Sequence, residues 1–493
     1  MKIGYDNAKY VKVQSERIKE RIAQFGNKLY LEFGGKLFDD YHASRVLPGF
    51  EPDSKLKMLM QLQDDAEIII VISALDIEAN KVRGDLGITY DEDVLRLRDA
   101  FLSRGFLVSG VIITHYNGQA SAAAYRARLE RIGIRVRYHH IIEGYPTNVD
   151  LICSSEGYGR NEYLETSRPL VVVTAPGPGS GKMAVCLSQL YQDGQQGIKA
   201  GYAKFETFPV WDLPLKHPIH IAYEAATADL NDVNMIDPFH LEAYGVMAVN
   251  YNRDIEIFPV LKAIFEGIFG ESPYKSPTDM GVNVIASCIS DDAVCCEAAR
   301  QEVIRRYYAA LCNYAEGRSD GHDVSKIALL MKQAHLSVDD RRTVVAAHTR
   351  RDASGEQTAA IELHDGSLIT AGSSPLLGPS AALLLNATKH LAGIDHSVKL
   401  IPQKTIEPIQ NTKVNYLHGH NPRLHTDEVL VALAVSAAED PNAALALQQL
   451  PKLKGLDAHS TVILSSVDTN TFRRLGLNVT SDPVYQTPVL YHR

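Results

Sequence analysis

The sequence predicts an α/β protein in which a Rossmann-like open parallel sheet is followed by a P-loop-like α/β domain and a smaller α+β C-terminal domain. Three observations predict this class. Apolar strands alternate with amphipathic helices over the first 150 residues, a strand leads into a glycine-rich loop and a helix at 170–191, and short strands joined by a turn lie beyond position 340. Strands separated by helices of about a dozen residues are typical of right-handed βαβ units.

The first domain, which we place at 1–161, shows both periodicities clearly. Apolar residues recur at helical spacing in 10–25, whereas the run 68–72 is continuously apolar, as expected for a strand buried on both faces of a parallel sheet. Asp91 is a suitable N-cap for the helix that follows it. The predicted helices are 10–25, 91–102 and 121–132, and the predicted strands are 29–33, 67–73, 107–114 and 135–142.

The second domain, 162–319, begins at a strand, and the third, 320–493, changes rhythm. In the second domain we predict strands at 170–174 and 200–208, helices at 182–191, 258–269 and 293–316, and loops and short helices over 212–254. In the third domain we predict strands at 342–348, 357–363, 367–371 and 461–465, and helices at 380–391 and 427–438. A turn at 364–366 predicts a meander of antiparallel strands in this part.

The composition excludes several classes of protein. The 493 residues are 45% apolar and 22% charged, which is typical of a soluble globular chain with several domains. The net charge of −9 argues against a nucleic-acid partner. The cysteines are too few for a disulfide scaffold and fit a reducing compartment. Because 1–25 is charged throughout and no apolar run approaches the length of a bilayer span, we expect no secretory signal, no membrane partner and a cytoplasmic location.

The most informative segment is the glycine-rich stretch 175–182, which follows a strand and opens a helix. Small residues let backbone N–H groups turn toward a phosphate, the helix N-terminus adds partial positive charge, and a lysine adds a full charge. We therefore expect this loop to bind a small phosphorylated ligand, either a metabolite or a nucleotide. The predicted binding residues are Gly177, Gly179, Ser180, Gly181 and Lys182.

The loop departs twice from the pattern G-x-x-x-x-G-K-[ST]. Pro176 stands at the first glycine position, with glycines beside it, and Met183 stands where Ser or Thr would hold magnesium. A thioether is a poor ligand for a hard cation. ATP or another nucleotide is therefore one candidate cofactor, with magnesium doubtful, and a different phosphorylated metabolite is another. A Gly/Pro turn with a solvated lysine is the alternative without any ligand.

Candidate acids and bases cluster in the weakly periodic region 204–254. Loops on an α/β scaffold carry chemistry more often than the scaffold does. We take Lys182, Glu206 and Asp254 as the candidate catalytic residues, while a surface excursion or an oligomer contact remains the alternative for this region. Further polar residues of the region that could take part are Lys204, Glu224, Asp229, Asp232, Asn234, Asp237, His240, Asn252 and Arg253.

Two further segments are weaker candidates. His418, His420 and His425, with Asp427, have a spacing that could hold a metal ion, although a polar loop that caps the next helix explains the same residues. The glycine pair in 32–36 follows a predicted strand and could form a second ligand wall, with a tight turn as the alternative. No cysteine has an adjacent histidine or a C-x-x-C partner, so we do not expect a cysteine nucleophile.

Four strings in the chain carry a family resemblance: YLEFGGKLFDD at 30–40, TAPGPGSGK at 174–182, NMIDPFH at 234–240 and YKSPTDMG at 274–281. Through them the chain resembles, essentially end to end, the bacterial domain-of-unknown-function family numbered 1846. The resemblance implies an intracellular bacterial α/β protein whose last third forms a separate C-terminal section. It implies no particular reaction, cofactor or catalytic residue.

The sequence thus favours a protein that binds a phosphorylated metabolite or nucleotide at 177–182, and leaves open whether it is an enzyme. If it is one, phosphoryl transfer or an ATP-dependent ligation is the first expectation. Two alternatives belong to other classes: a metal-dependent hydrolase built on the 418–427 segment, and a non-catalytic ligand-binding or assembly protein. Chains of this size often associate, so a homo-oligomer is also expected.

Overall fold

The structure is a computed structural model that describes residues 2–35, 37–38, 40–83 and 86–487. It divides into two compact units. The first unit comprises 2–224 and 231–298, and the second comprises 225–230 and the residues from 299 onward. Across the described ranges, every helix is too short or too polar to pass through a lipid bilayer.

A six-stranded sheet, parallel throughout, forms the centre of the first unit. Its strand order is β6-β5-β2-β7-β1-β8, so β7 lies between β2 and β1. Two pairs of short antiparallel strands, β3 with β4 and β9 with β10, also belong to this unit. The strands are β1 Leu29–Phe33, β2 Ala66–Ser73, β3 Val82–Arg83, β4 Ile88–Thr89, β5 Leu107–Tyr116, β6 Val136–His140, β7 Leu170–Thr174, β8 Gly201–Phe205, β9 Asn234–Ile236 and β10 Val249–Tyr251.

Helices cover both faces of this sheet. This explains why its central strands carry apolar side chains on both faces. All residues of β1, β2, β7 and β8 are buried. The helices that begin in this unit are α1 Asn7–Gln24, α2 Tyr41–Val46, α3 Ser54–Met60, α4 Ala74–Glu78, α5 Tyr90–Leu102, α6 Ala120–Arg131, α7 Val149–Ile152, α8 Lys182–Gln195, α9 Pro218–Ala226, α10 Pro238–Tyr244, α11 Asn252–Phe269, α12 Pro277–Met280 and α13 Asp292–Ala315.

The second unit contains a separate four-stranded mixed sheet of order β12-β11-β13-β14. The first three of these strands are antiparallel neighbours, and β13 and β14 are parallel. Its strands are β11 Thr358–Glu362, β12 Leu368–Gly372, β13 Asp457–Ser460 and β14 Asn478–Ser481. Its further helices are α14 His322–Gln333, α15 Arg342–Ser354, α16 Pro379–Leu391, α17 Gln403–Asn411, α18 Thr426–Ser436, α19 Pro441–Leu447 and α20 Ser466–Arg474.

The predicted α/β class, the parallel sheet and the distinct C-terminal sheet are confirmed. One feature differs from the prediction of two successive α/β domains. Strands from both sides of position 161 pair in a single sheet, because β7 and β8 join β1 and β2. The boundaries at 161 and 319, and a P-loop-like architecture for 162–319, stay predictions.

Two predicted strands were wrong. The stretch 461–465 follows β13, which ends at Ser460, and its residues form no strand. The stretch 342–348 contains three consecutive β-branched residues, which favour a strand, but it forms the first half of α15. Thr343, Val344 and Ala347 are the buried residues of this helix. Their spacing is that of one helical face, so packing onto the sheet outweighs the local preference.

The packing of α8 against the central strands gives the first testable prediction. Leu187 is fully buried in the core that includes Val171 and Val173, whereas the Leu75 side chain is 51% exposed. We expect Leu187→Ala to lower the free energy of unfolding by about 2–5 kcal/mol, because it leaves a cavity. The matched Leu75→Ala should change it by less than about 0.5 kcal/mol. Denaturant unfolding of both variants tests this, and equal losses would contradict the assigned core.

Candidate functional site

The candidate site lies at the carboxyl edge of the six-stranded sheet, where the glycine-rich loop 175–181 connects β7 to α8. All six strands are parallel, so every strand presents its carboxyl end at this edge. The residues that end β2 and β5 lie on one side of β7, and those that end β1 and β8 lie on the other. Ligands of open α/β sheets bind outside the carboxyl ends of the strands.

Three positions in the loop require glycine for physical reasons. Gly179 and Gly181 have φ of 72° and 84°, a left-handed conformation that residues with a Cβ rarely adopt. At Gly177 a Cβ would lie 2.3 Å from the hydroxyl oxygen of Tyr90 on α5. At Gly181 it would lie 3.1 Å from Cγ2 of Thr114, at the end of β5. The glycines therefore let the loop turn tightly against its neighbours.

The N-terminus of α8 is left without a capping side chain. Gly181 is its N-cap and offers no side-chain hydrogen bond to the first turn. Thr114 holds the loop in place, because its Oγ1 donates a 2.6 Å hydrogen bond to the carbonyl oxygen of Ser180. Ser180 is only 2% exposed, yet within the described residues its Oγ has no hydrogen-bond partner. Buried hydroxyls are normally paired. Ser180 Oγ and the N–H groups of the first turn could therefore donate to a bound acceptor.

Lys182 is the first residue of α8 and is partly buried. Among the residues that the structure describes, no side chain or carbonyl group pairs with its ammonium group. Met183 packs against the apolar core beside α8. Met183, which stands at the Ser/Thr position of the pattern G-x-x-x-x-G-K-[ST], thus contributes to the core.

Two histidines that no sequence motif marks lie on the β5 and β6 side of the loop. His115 has φ of 52°, and its Nδ1 lies 3.0 Å from Oγ of Ser73 at the end of β2. His139 is buried, and its Nε2 has no hydrogen-bond partner among the described residues. Its ring lies beside the backbone of Ala184, in the first turn of α8. Burial lowers the pKa of His115, and lowers the pKa of His139 to about 4. Both rings are therefore neutral at physiological pH.

The predicted acids Glu206 and Asp254 come together on the other side, at the end of β8. Lys204 Nζ donates to both carboxylate oxygens of Asp254, at 2.8 and 2.6 Å, and lies 3.2 Å from Glu206 Oε2. It also contacts the hydroxyl of Tyr251, which in turn donates a 2.6 Å hydrogen bond to Glu206 Oε2. We call these four residues, Lys204, Glu206, Tyr251 and Asp254, the acid–base cluster.

Burial controls the charges of this cluster. It raises the pKa of Glu206, although the ammonium group of Lys204 opposes the shift. Burial alone would lower the pKa of Lys204, but the carboxylates of Asp254 and Glu206 raise it above its ordinary value. Lys204 and Asp254 thus form a charged pair, while Glu206 holds a proton more firmly than an ordinary glutamate. A carboxyl group of this kind is suited to general acid–base chemistry.

The glycine pair predicted as a second wall lies against this cluster. A Cβ at Gly34 would lie 2.4 Å from Cγ of Glu206, and Gly35 has φ of 69° with the buried Lys55 ammonium 3.6 Å from its ideal Cβ position. Glu32, at the end of β1, pairs in register with Val173 of β7 and Lys204 of β8. Strand β1 therefore stands between the loop and the cluster. Lys36, the last residue of that motif, lies outside the described residues.

A small cavity of about 50 Å³ opens beside the acid–base cluster, lined by Lys204, Glu206 and Asp254. It shares Trp211, Thr278, Gly281 and Asn283 with a larger cleft of about 790 Å³. The cluster is therefore buried but adjoins a space large enough for a small molecule.

Other polar residues predicted in this region have structural roles. Asp237 caps α10 through the N–H groups of Phe239 and His240. Asp232 forms an ion pair with Arg253. These contacts explain why the polar residues of 204–254 are not all part of one site.

Among the described residues, the histidine segment 418–427 does not bring three metal-ligand-type side chains together. His425 binds Asp468, with Nδ1 3.2 Å from Oδ2, and acts as N-cap of α18. Within the described chain, His418 and His420 belong to neither of the two groups of metal-ligand-type side chains. The polar-loop alternative is therefore the better description of this segment.

The raised pKa of Glu206 predicts a pH-dependent stability. A raised pKa stabilises the folded protein fully below the ordinary carboxyl pKa, about 4.3, and this contribution is lost as the pH rises through the raised value. Glu206→Gln removes the titration. The melting temperature of the wild type relative to this variant should therefore fall as the pH rises from about 4 to 8. The exposed Glu242→Gln should show no such trend, and a pH-independent difference for Glu206→Gln would contradict the assignment.

The chain matches two family descriptions that together span almost its whole length. Residues 3–335 match "Domain of unknown function DUF1846, N-terminal", and residues 339–491 match "Domain of unknown function DUF1846, C-terminal". A UPF0371 protein of Corynebacterium urealyticum is 56% identical over 492 residues, covering 100% of this chain and 99% of that protein. A UPF0371 protein of Streptococcus pyogenes serotype M3 is 54% identical over 491 residues, with the same coverage. The chain therefore belongs to the DUF1846 family, whose relatives carry the name UPF0371.

Proposed function

We propose that this protein is an enzyme that binds the phosphate group of a small metabolite or nucleotide at residues 177–182 and acts on that ligand with the acid–base cluster. Phosphoryl transfer or an ATP-dependent ligation is the expected class of reaction. The observation that carries the proposal is the N-terminus of α8, where, among the described residues, the first-turn N–H groups have no capping side chain and the Ser180 hydroxyl and the Lys182 ammonium have no partner.

These three donors suit a phosphate better than any other common group. A helix N-terminus carries partial positive charge and presents N–H groups to an anion. Gly179 and Gly181 allow the backbone to approach closely, and Lys182 would neutralise a charge that the N–H groups leave uncompensated. Simple turns between strands and helices do not need a buried hydroxyl without a partner.

The distance between loop and cluster suits one small ligand. Strands β7, β1 and β8 are neighbours, and adjacent strands lie about 4.8 Å apart, so the ends of β7 and β8 are separated by about 10 Å. A ligand with its phosphate on the loop would therefore place a group a few bonds away near Glu206. The raised pKa of Glu206 supports a role in proton transfer, with Lys204 and Asp254 fixing its surroundings.

The side chain at position 183 offers a bound magnesium ion no oxygen ligand. Met183 packs into the core, so it supplies no oxygen ligand for magnesium. A nucleotide bound here would rely on the backbone and Lys182 for charge neutralisation. A cytoplasmic location and a homo-oligomeric state stay predictions from the sequence.

Lys182→Ala tests the proposed anion site. We expect a thermal-shift panel of ATP, sugar phosphates, inorganic phosphate and sulfate, each with and without magnesium, to raise the melting temperature of the wild type for at least one phosphorylated ligand. Binding at 100 times Kd stabilises the folded state by about 2.7 kcal/mol. Lys182→Ala should lose this shift and keep the melting temperature of the unliganded protein, because its ammonium group has no described partner.

A matched variant, Lys199→Ala, removes an exposed lysine from the loop after α8 and should retain the ligand shift. Unaltered ligand shifts in Lys182→Ala, or a panel without any shift, would reject the anion site. A ligand that binds but is not converted on prolonged incubation would retain the site and reject the enzymatic half of the proposal.

Ser180→Ala separates a ligand-binding hydroxyl from a structural one. Because Ser180 Oγ has no partner among the described residues, its removal should leave the unliganded protein at least as stable, while the ligand-induced shift decreases. The control is Ser188→Ala in α8, whose Oγ accepts a 3.0 Å hydrogen bond from Asn161. That variant should lower the free energy of unfolding by about 1–3 kcal/mol. A comparable loss for Ser180→Ala would contradict the proposed role.

A further inference from the structure

Three potential metal ligands converge in the second unit, and none of them is among the site residues that the sequence predicts. His348 lies on α15, His459 on β13, and Asp482 directly follows β14. His348 Nε2 is 2.8 Å from Asp482 Oδ2, and His459 Nε2 is 3.3 Å from Asp482 Oδ1. The three ligand atoms lie within 4.8 Å of one another. One ion could contact all three.

Thr480 is placed to support His459 as a metal ligand. Its Oγ1 lies 2.9 Å from His459 Nδ1 and 3.2 Å from the carbonyl oxygen of Ala458. When the hydroxyl donates to that carbonyl oxygen, it accepts a hydrogen bond from a protonated Nδ1. In a neutral imidazole protonated at Nδ1, Nε2 carries the lone pair that a metal ion requires.

His459 Nε2 is buried beside the carboxylate of Asp482. His459 has no exposed surface, and Nε2, 3.3 Å from Asp482 Oδ1, has no partner of good hydrogen-bond geometry among the described residues. A metal ion between the two atoms would satisfy both.

We propose that His348, His459 and Asp482 bind a divalent first-row transition-metal ion such as Zn²⁺. Two imidazole nitrogens and one carboxylate oxygen form a donor set that these ions prefer, and Thr480 Oγ1, 2.9 Å from His459 Nδ1, can accept a hydrogen bond from the ring when Nε2 binds the ion. His348 is partly exposed, which gives the ion a route from solvent. Three protein ligands would leave a coordination position open.

Two arginines approach this group without blocking it. Arg351 Nη1 is 3.4 Å from Asp482 Oδ2, but its side chain is 40% exposed and can move into solvent. Arg341 is buried and directs one Nη toward Asp457 and the carbonyl oxygen of Asn478. Its charge is therefore balanced by another carboxylate.

A second triad, in the first unit, does not leave a histidine nitrogen free to bind a metal ion. His217, Asp292 and Cys296 also lie close together, but the N–H of Ile219 donates to His217 Nδ1. The proton of the neutral ring is then on Nε2, the nitrogen that faces both potential co-ligands. This group therefore needs no ion to satisfy its histidine.

Metal titration of the full-length protein tests the site. We expect the EDTA-treated and dialysed wild type to bind one tight equivalent of Zn²⁺ by isothermal titration calorimetry. His348→Gln and Asp482→Asn should each weaken this binding by at least about tenfold, the smallest effect typical of removing even a supporting partner of a metal ligand. The control His390→Gln, on α16 and outside the group, should bind as the wild type does. Circular dichroism checks the fold of each variant.

Co²⁺ distinguishes this site from the cysteine-containing group, because a thiolate ligand produces a strong charge-transfer absorption and a His₂Asp site does not. We expect the tight Co²⁺ equivalent to lack that band. The proposal is overturned if the wild type binds no stoichiometric Zn²⁺ or Co²⁺, if the bound Co²⁺ shows the thiolate band, or if folded His348→Gln retains full affinity. Since His348 lies on a partly exposed helix face, this variant decides the question even if Asp482→Asn does not fold.

Discussion

The parallel pairing of β7 between β2 and β1 is the constraint on which the candidate site depends. Parallel strands bring their carboxyl ends to one edge, and β7 carries the glycine-rich loop to the middle of that edge. Since β7 is buried on both sides and α8 packs directly onto it, the loop has little freedom to relax. Packing and the hydrogen bond from Thr114 to Ser180 hold the loop in place, so the N–H groups of the first turn and the buried hydroxyl of Ser180 can remain without partners among the described residues.

Buried charge is the second notable feature of the first unit. Lys204 and Asp254 are both largely buried and are paired through two hydrogen bonds, with Tyr251 and Glu206 completing the network. Burying an ion pair costs desolvation energy that its attraction only partly offsets. An apolar cluster of similar volume would often be at least as stable, so stability alone does not account for this arrangement. The cluster borders a cavity at the sheet edge, which is where the proposed reaction would use it.

The two units place unsatisfied atoms of opposite character in their interiors. In the first unit these are hydrogen-bond donors at the start of α8, which suit an anion. In the second, Nε2 of His459 lies 3.3 Å from the carboxylate of Asp482, and a cation could bind both atoms. Natural proteins pair nearly all buried polar groups. Exceptions that converge at a helix terminus, or between ligand-type side chains, are therefore informative about what the protein binds.

The sequence by itself determined the local elements. Continuous apolar runs specified buried strands, and the glycines of 175–182 specified a tight loop before α8, because these patterns act through neighbouring residues. Only the tertiary structure decided that β7 enters the middle of the first sheet, that 342–348 is helical, and that Asp254 pairs with Lys204. The same holds for the convergence of His348, His459 and Asp482, which lie on three different elements. Strand order, packing and hydrogen bonds between residues distant in the chain arise from burial in three dimensions, which no local periodicity records.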